Sequence, residues 1–223
     1  MTSFYARQQG LFSPEEWARL KAATVLVVGL GGLGSFVAEG LCRAGLGGLF
    51  LLDHDRVSIS DLNRQILYTS DDIGRFKAQV AKERLQKIRE DLWVEAWVQR
   101  LGPQFVIPAK VSLVVDALDN WESRFVLDEL TFKTKKYLVH AGLKGRFGQV
   151  LTFPPSPPRL KDILVGVEEE PSPPAAFPIC AILGGLVVEE VLKIICGKEG
   201  VLAHKMLLVD LQNYDFEIVP LAK

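Results

Sequence analysis

The sequence predicts an α/β fold, a mainly parallel sheet with helices on both faces and a C-terminal antiparallel extension. Three observations predict it. Short apolar runs alternate with helix-period segments through the first two thirds of the chain, the β-α-β rhythm of a parallel sheet. A glycine cluster, GLGGLG, sits between the first apolar run and the next helical segment, which makes the fold Rossmann-like. In the last third, Phe147 to Phe153, Met206 to Asp210 and Phe216 to Val219 read as strands of an antiparallel addition.

The elements follow in order. Ser13, Pro14 and Glu16 form a capping box with proline at the first helical position, giving a helix to about Ala23. Val25 to Val28 is a buried strand, Gly34 to about Ala44 a helix and Leu49 to Asp53 a second strand. Ala78, Ala81, Leu85 and Ile88 make an apolar stripe at helical spacing among charged neighbours. Trp93 to Val98, Leu113 to Asp116 and Tyr137 to Ala141 complete the parallel strands, with a helix from Asn120 to about Phe132. Pro154 to Phe177 is dense in proline and carries the acidic run Glu168 to Glu170, which predicts a mobile loop. The following segment, ICAILGGLVVEEVLKIICG, is apolar on almost every side and stops at Gly197, so a buried helix is expected, covered in part by a second subunit. The chain therefore reads as one domain: a helical arm over 1–24, a nucleotide-binding core over 25–145, and an extension over 146–223 with a crossover loop at 154–178.

Composition narrows the function. The 223 residues include 26 basic and 27 acidic ones, so no broad nucleic-acid or anionic-membrane surface is implied. The N-terminus lacks a signal-peptide layout and no apolar run approaches the roughly 18 residues that span a bilayer, so a cytoplasmic protein is expected. Cys42, Cys180 and Cys196 form no CxxC, which excludes a disulfide framework and a four-cysteine zinc site within one chain.

Gly29, Gly31 and Gly34 fit G-x-G-x-x-G after a strand and at the start of a helix, with Asp53 ending the next strand. The glycines permit a tight turn and the approach of a phosphate to the helix N-terminus, and the Asp53 carboxylate can accept hydrogen bonds from ribose hydroxyls. ATP and NAD satisfy these features equally. A nicotinamide-dependent oxidoreductase needs a proton donor, and His54, His140 and His204 occupy no convincing position for one.

The motifs GLGGLG, LDHD, LNRQI, IGRFKA and DALDN occur in this order. With them the chain resembles the ThiF/MoeB/HesA family, which shares its fold with ubiquitin-activating enzymes. The resemblance implies ATP- and Mg2+-dependent adenylation of a carboxylate, the C-terminal Gly-Gly of a ubiquitin-like sulfur-carrier protein, with release of pyrophosphate. It implies that Gly29, Gly31, Gly32, Gly34, Asp53, Asp55, Arg64, Gln65, Lys77, Asp119 and Asn120 bind the nucleotide. Arg64 and Lys77 would supply positive charge to the phosphates, Asp119 would hold magnesium, and Arg124 is a weaker candidate beside it. Arg7 resembles an arginine that reaches the ATP of the opposite subunit, so a homodimer is implied.

The chain departs from the family pattern at three points. The family reads S-N-L-x-R where this sequence has Ser60, Asp61, Leu62, Asn63 and Arg64, placing a carboxylate where it would repel phosphate unless magnesium or Arg64 compensates. The CxxC pairs that bind zinc in many relatives are missing, so no structural zinc is expected. The crossover loop has no cysteine, and Cys180, just beyond it, reads as a packing residue, as do Cys42 and Cys196. A degenerate member that binds nucleotide or carrier without catalysis is the alternative these departures raise.

Overall fold

A computed structural model describes residues 4–164, 166–167 and 174–221. The parallel strands are β1 (Thr24–Val28), β2 (Gly48–Leu52), β3 (Trp93–Trp97), β4 (Leu113–Asp116) and β5 (Tyr137–Lys144). The sheet continues antiparallel through β6 (Phe147–Phe153), β7 (Lys205–Asp210) and β8 (Asp215–Pro220), in the order β3-β2-β1-β4-β5-β6-β7-β8. The helices are α1 (Pro14–Ala22), α2 (Gly32–Ala44), α3 (Lys77–Ile88), α4 (Trp121–Lys133), α5 (Leu160–Ile163) and α6 (Phe177–Cys196).

Alternate residues of each strand feed two cores, as the two-residue period of a strand requires. Val25, Val27, Leu49, Leu51, Leu113 and Val115 pack beneath α2, α3 and α6. Leu26, Val28, Phe50, Leu52 and Val114 meet Leu127 and Leu130 of α4 and Leu160 of α5 on the other face. Both faces are covered, so the central strands read as continuous apolar runs. Helix α1 lies outside this arrangement, its Leu20 buried with Leu192 and Cys196 of α6.

The register sets the site. Val28 aligns with both Leu52 and Asp116, and Asp116 with His140, so the loops leaving β1, β2 and β4 emerge side by side. After β1 the chain turns toward β2 and β3, and then returns to β4 on the other side. That is the topological switch point at which open α/β sheets bind ligands.

The sequence expectations hold for every strand and long helix to within a few residues. Helix α2 starts at Gly32 instead of Gly34, because Gly31 is its N-cap. Strand β5 runs on to Lys144, since β6 pairs along its whole length. The crossover loop differs more. Within it Leu160 is fully buried and Arg159 nearly so, with Arg159 Nε and Nη2 donating to Asp128 Oδ2 of α4 at 3.2 and 3.0 Å. Proline density outweighed this one docking residue and its ion pair in the sequence reading. The acidic run Glu168 to Glu170 lies outside the described residues.

Helix α6 buries one side within the chain and leaves the other open. Ile179, Leu183, Val187 and Val191 are buried, whereas Phe177 and Ile182 are exposed on its outer side. Gly197 ends it in the left-handed region, at φ 71°. No helix among the described residues is long and apolar enough to cross a membrane.

At Gly34 helix α2 meets the glycine turn backbone to backbone. A Cβ on Gly34 would lie 1.9 Å from the carbonyl oxygen of Gly29, and neither atom can move without displacing β1 or α2. Gly34→Ala is expected to destabilise the fold by about 3 kcal/mol or more. At Gly31 the nearest atom to a Cβ is 3.7 Å away, so Gly31→Ala should unfold within about 1 kcal/mol of wild type. Urea denaturation of the two variants checks both.

Candidate active site

The three adjoining loops enclose a cleft of about 640 Å³, within the size range of a nucleotide pocket. Its floor is the glycine turn. Gly29, at φ 86°, lies so close to the β4 loop that a Cβ there would meet the Ala117 carbonyl at 2.6 Å. Gly32 faces Cys180 Sγ, 2.8 Å from where its own Cβ would stand. Gly31 alone opens onto the cleft without a close neighbour, at the N-cap of a 13-residue helix. Free N–H groups and the positive end of the helix dipole make this a place for an anion.

Asp53 ties two of the loops together. Its Oδ2 accepts from the Leu30 N–H and its Oδ1 from the Asp55 N–H, both at 2.7 Å. Burial pushes its pKa up, and these two amides and Lys77 oppose the shift. The carboxylate expected to meet ribose hydroxyls is thus first a brace for the glycine turn, although it lines the cleft and keeps lone pairs for a ligand. Tyr68 adds a second brace, its hydroxyl donating to the Leu30 carbonyl at 2.9 Å.

Arg64, Gln65, Lys77, Asp55 and Asp61 gather on one wall. Lys77 opens α3 and is buried, its Nζ 3.3 Å from Asp55 Oδ2 and 3.6 Å from Asp61 Oδ2. Asp61 is buried too, accepting from the Ser58 N–H at 2.9 Å, the Ser58 hydroxyl at 3.0 Å and Gln65 Nε2 at 2.7 Å. Within the chain the cation beside Asp61 is Lys77, while Arg64 turns to other partners. Arg64 Nη1 donates instead to the Ser60 carbonyl at 2.8 Å and to Asn63 Oδ1 at 3.1 Å. Gln65 lines the cleft, and its Oε1 is buried without a hydrogen-bond partner among the described residues.

Asp119 and Asn120 line the cleft from the loop after β4 and divide two roles. Asn120 Oδ1 caps α4 by accepting the Ser123 N–H at 2.9 Å. Asp119 is exposed in the cleft, and Asn120 Nδ2 donates to its Oδ1 at 3.3 Å. That carboxylate has the oxygen chemistry of a magnesium ligand. Asp53, His54 and Asp55 also bring ligand atoms within 4.8 Å of one another, but Asp53 is committed to backbone amides and Asp55 to Lys77.

Arg7 does not join this group. It is exposed in the turn Ala6–Gln8, where Gln8 Nε2 donates to the Arg43 carbonyl in the last turn of α2. Thirteen residues of helix separate that turn from the glycine loop, roughly 20 Å.

Arg124, the weaker candidate, belongs to a buried set that holds Asp119 in place, a partnership the local sequence does not reveal. His140 and Asp116 are fully buried, with His140 Nδ1 2.6 Å from Asp116 Oδ2. Arg124 Nη1 lies 3.3 Å from His140 Nε2, and Arg124 Nη2 donates to the Leu118 carbonyl. Asp116 Oδ1 accepts the Leu118 N–H at 3.0 Å. The turn before Asp119 is thus gripped at both its N–H and its carbonyl. Strand-ending Asp116 inside DALDN was the signal, but His140 is 24 residues away and only the β4–β5 register joins them. Cys180 is buried in the core, as its place in the apolar helix predicts. It also lines the cleft, and burial raises its thiol pKa while nearby Arg64 opposes the rise.

Burial pushes the His140 pKa below its ordinary 6.5, against the pull of Asp116. For Asp116 burial acts upward, but the Arg124 guanidinium and the His140 ring outweigh it and hold the carboxyl below its ordinary range. The ring is therefore neutral, with Nδ1–H donating to an ionised Asp116. An unfolded chain binds a proton at this histidine as pH falls through 6.5, before the folded one does. The stability it contributes is complete above pH 6.5 and is lost as pH falls toward the folded value. His140→Gln should lower stability at pH 7 by about 1–3 kcal/mol and flatten the decline between pH 6.5 and 5. Urea midpoints measured across that range test this.

A family model described as the ThiF family matches residues 5–223. A sulfur carrier protein adenylyltransferase of Thermus thermophilus is 36% identical over 228 residues, covering 95% of this chain and 84% of that one. The sulfur carrier protein ThiS adenylyltransferase of Escherichia coli is 33% identical over 189 residues, 81% of this chain and 75% of that one. A probable molybdopterin-synthase adenylyltransferase of Porphyra purpurea is 32% identical over 209 residues, and there the chain spans only 55% of the relative's length. Among solved structures, E. coli MccB with AMPCPP and MccA superposes with a TM-score of 0.88 at 19% identity, over 99% of this chain and 72% of that one, a likeness of fold. With a matching model over nearly its whole length and relatives at this identity, the chain belongs to the ThiF family.

Proposed function

We propose that the protein uses ATP and Mg2+ to adenylate the C-terminal carboxylate of a ubiquitin-like sulfur-carrier protein ending in Gly-Gly. The observation that carries this reading is the convergence of Arg64, Lys77 and Asp119 around an open glycine turn in one cleft. The names of the curated relatives, sulfur carrier protein adenylyltransferases, support the same chemistry.

A carboxylate oxygen of the carrier attacks the α-phosphorus of ATP, the bond to the bridging oxygen breaks, and pyrophosphate leaves with an acyl adenylate formed. Such a displacement needs little beyond positioning and the stabilisation of negative charge. In this reading the Gly31 backbone and the α2 N-terminus receive phosphate, while Arg64 and Lys77 carry positive charge to the departing pyrophosphate. Asp119 would hold magnesium, which when bound neutralises phosphate charge. Leu143, Pro174 and Ala175 close the other end of the cleft, where Gly145 donates its N–H to Pro174 and accepts from Ala176. An extended Gly-Gly tail, with no side chains, suits such a passage.

Arg7 completes the site in this reading only from a second copy, and the exposed side of α6 at Phe177 and Ile182 is the apolar surface such a pairing would cover. One observation favours a binding-only role: Lys77 is bracketed by Asp55 and Asp61 and has to exchange an ion pair for phosphate. Nucleotide binding without any carrier-dependent exchange would mark that alternative.

Carrier-dependent ATP–pyrophosphate exchange is the direct assay. Asp119→Ala and Arg64→Ala should each lower it about 100-fold or more, with the fold intact by circular dichroism. Full exchange in both variants would overturn the assignment. Arg7→Ala and Lys77→Ala, each inactive alone, should regain part of the activity when mixed, because a mixed dimer retains one complete site. No recovery on mixing would place Arg7 outside the site.

A further inference from the structure

Asp61 closes a capping box with Ser58 in the short turn Ile59–Asp61, and the same carboxylate faces the Lys77 ammonium. It is a buried carboxylate in the cleft wall, 3.6 Å from the Lys77 ammonium, and Asp55 flanks the same ammonium at 3.3 Å. Two carboxylates therefore face one lysine where the cleft offers positive charge to phosphate. The neutral donors on Asp61, from Ser58 and Gln65, orient it without cancelling its charge.

A fixed negative charge acts on a ligand in proportion to the ligand's own charge. Metal-free ATP carries about four negative charges and its magnesium complex about two, so Asp61 opposes the free nucleotide about twice as strongly in free energy. We infer that Asp61 makes this cleft select the magnesium–nucleotide complex over the free nucleotide. The inference rests on the nucleotide reading of the cleft.

Calorimetric titration of wild type and Asp61→Asn with ATP in EDTA, with magnesium–ATP and with adenosine, at fixed ionic strength, tests it. The variant should bind magnesium–ATP about threefold tighter and metal-free ATP about tenfold tighter, the second factor near the square of the first, with adenosine unchanged. Asp55→Asn makes the same charge change at a half-exposed partner of Lys77, clear of the Ser58 cap, and should give the same ordering with smaller factors. If Asp61→Asn loses adenosine binding, its cleft is damaged and Asp55→Asn decides. Equal factors for the two ATP forms, or no gain for the metal-free form, would overturn the selectivity role alone. Failure of wild type to bind any of the three would bring down the nucleotide reading, and this inference with it.

Discussion

The cleft depends on a contact between backbones: the glycine turn lies against the first residue after β4 and against the start of α2. With side chains at Gly29 or Gly34, the Ala117 carbonyl and the Gly29 carbonyl would each be overlapped, and the loops after β1 and β4 would part. Every other feature of the site is built across that junction. The Asp53 carboxylate draws the β2 loop to the glycine turn, and the Asp116–His140–Arg124 set draws in the β4 loop. A groove with exposed backbone amides is left between them. Its ligand preferences come from the charges around its rim.

Those charges are arranged in two tiers. At the base of the cleft, Asp116, His140 and Arg124 are buried and bonded to one another and to the Leu118 backbone, a polar network that stays rigid because its members are paired. Around the rim, Arg64 and Asp119 are accessible and lightly engaged, free to meet a ligand. Lys77 belongs to both tiers: it is buried like the lower set, yet its ammonium lies at the wall between two carboxylates. A ligand with the charge of a phosphate must compete with Asp55 and Asp61 for it. That competition distinguishes this cleft from one in which a lysine stands unopposed.

The fold was legible in the sequence because its signals are local. The Ser13 capping box, the apolar runs of β1, β2 and β4, the stripe on α3 and the stop at Gly197 each follow from a few neighbouring residues. Residues that line the cleft were legible too, since Arg64, Gln65, Lys77, Asp119 and the glycines carry short motifs. Their partnerships were not. That Asp61 is paired with Lys77, that Asn120 and not Asp119 caps α4, and that His140 reaches Asp116 all depend on register between segments 16 or more residues apart, or on which of two neighbours turns inward. Leu160 in the crossover segment escaped for a related reason, because a single buried residue leaves no periodic trace.

The central claim is that the cleft is an ATP site of an adenylating enzyme and not a dinucleotide site of an oxidoreductase, two uses to which this glycine turn is equally suited. Calorimetric titration of the purified protein with magnesium–ATP and, separately, with NAD separates them most directly. The account predicts saturable binding of magnesium–ATP and none of NAD at the same concentrations. Saturable binding of NAD with no response to ATP would contradict it.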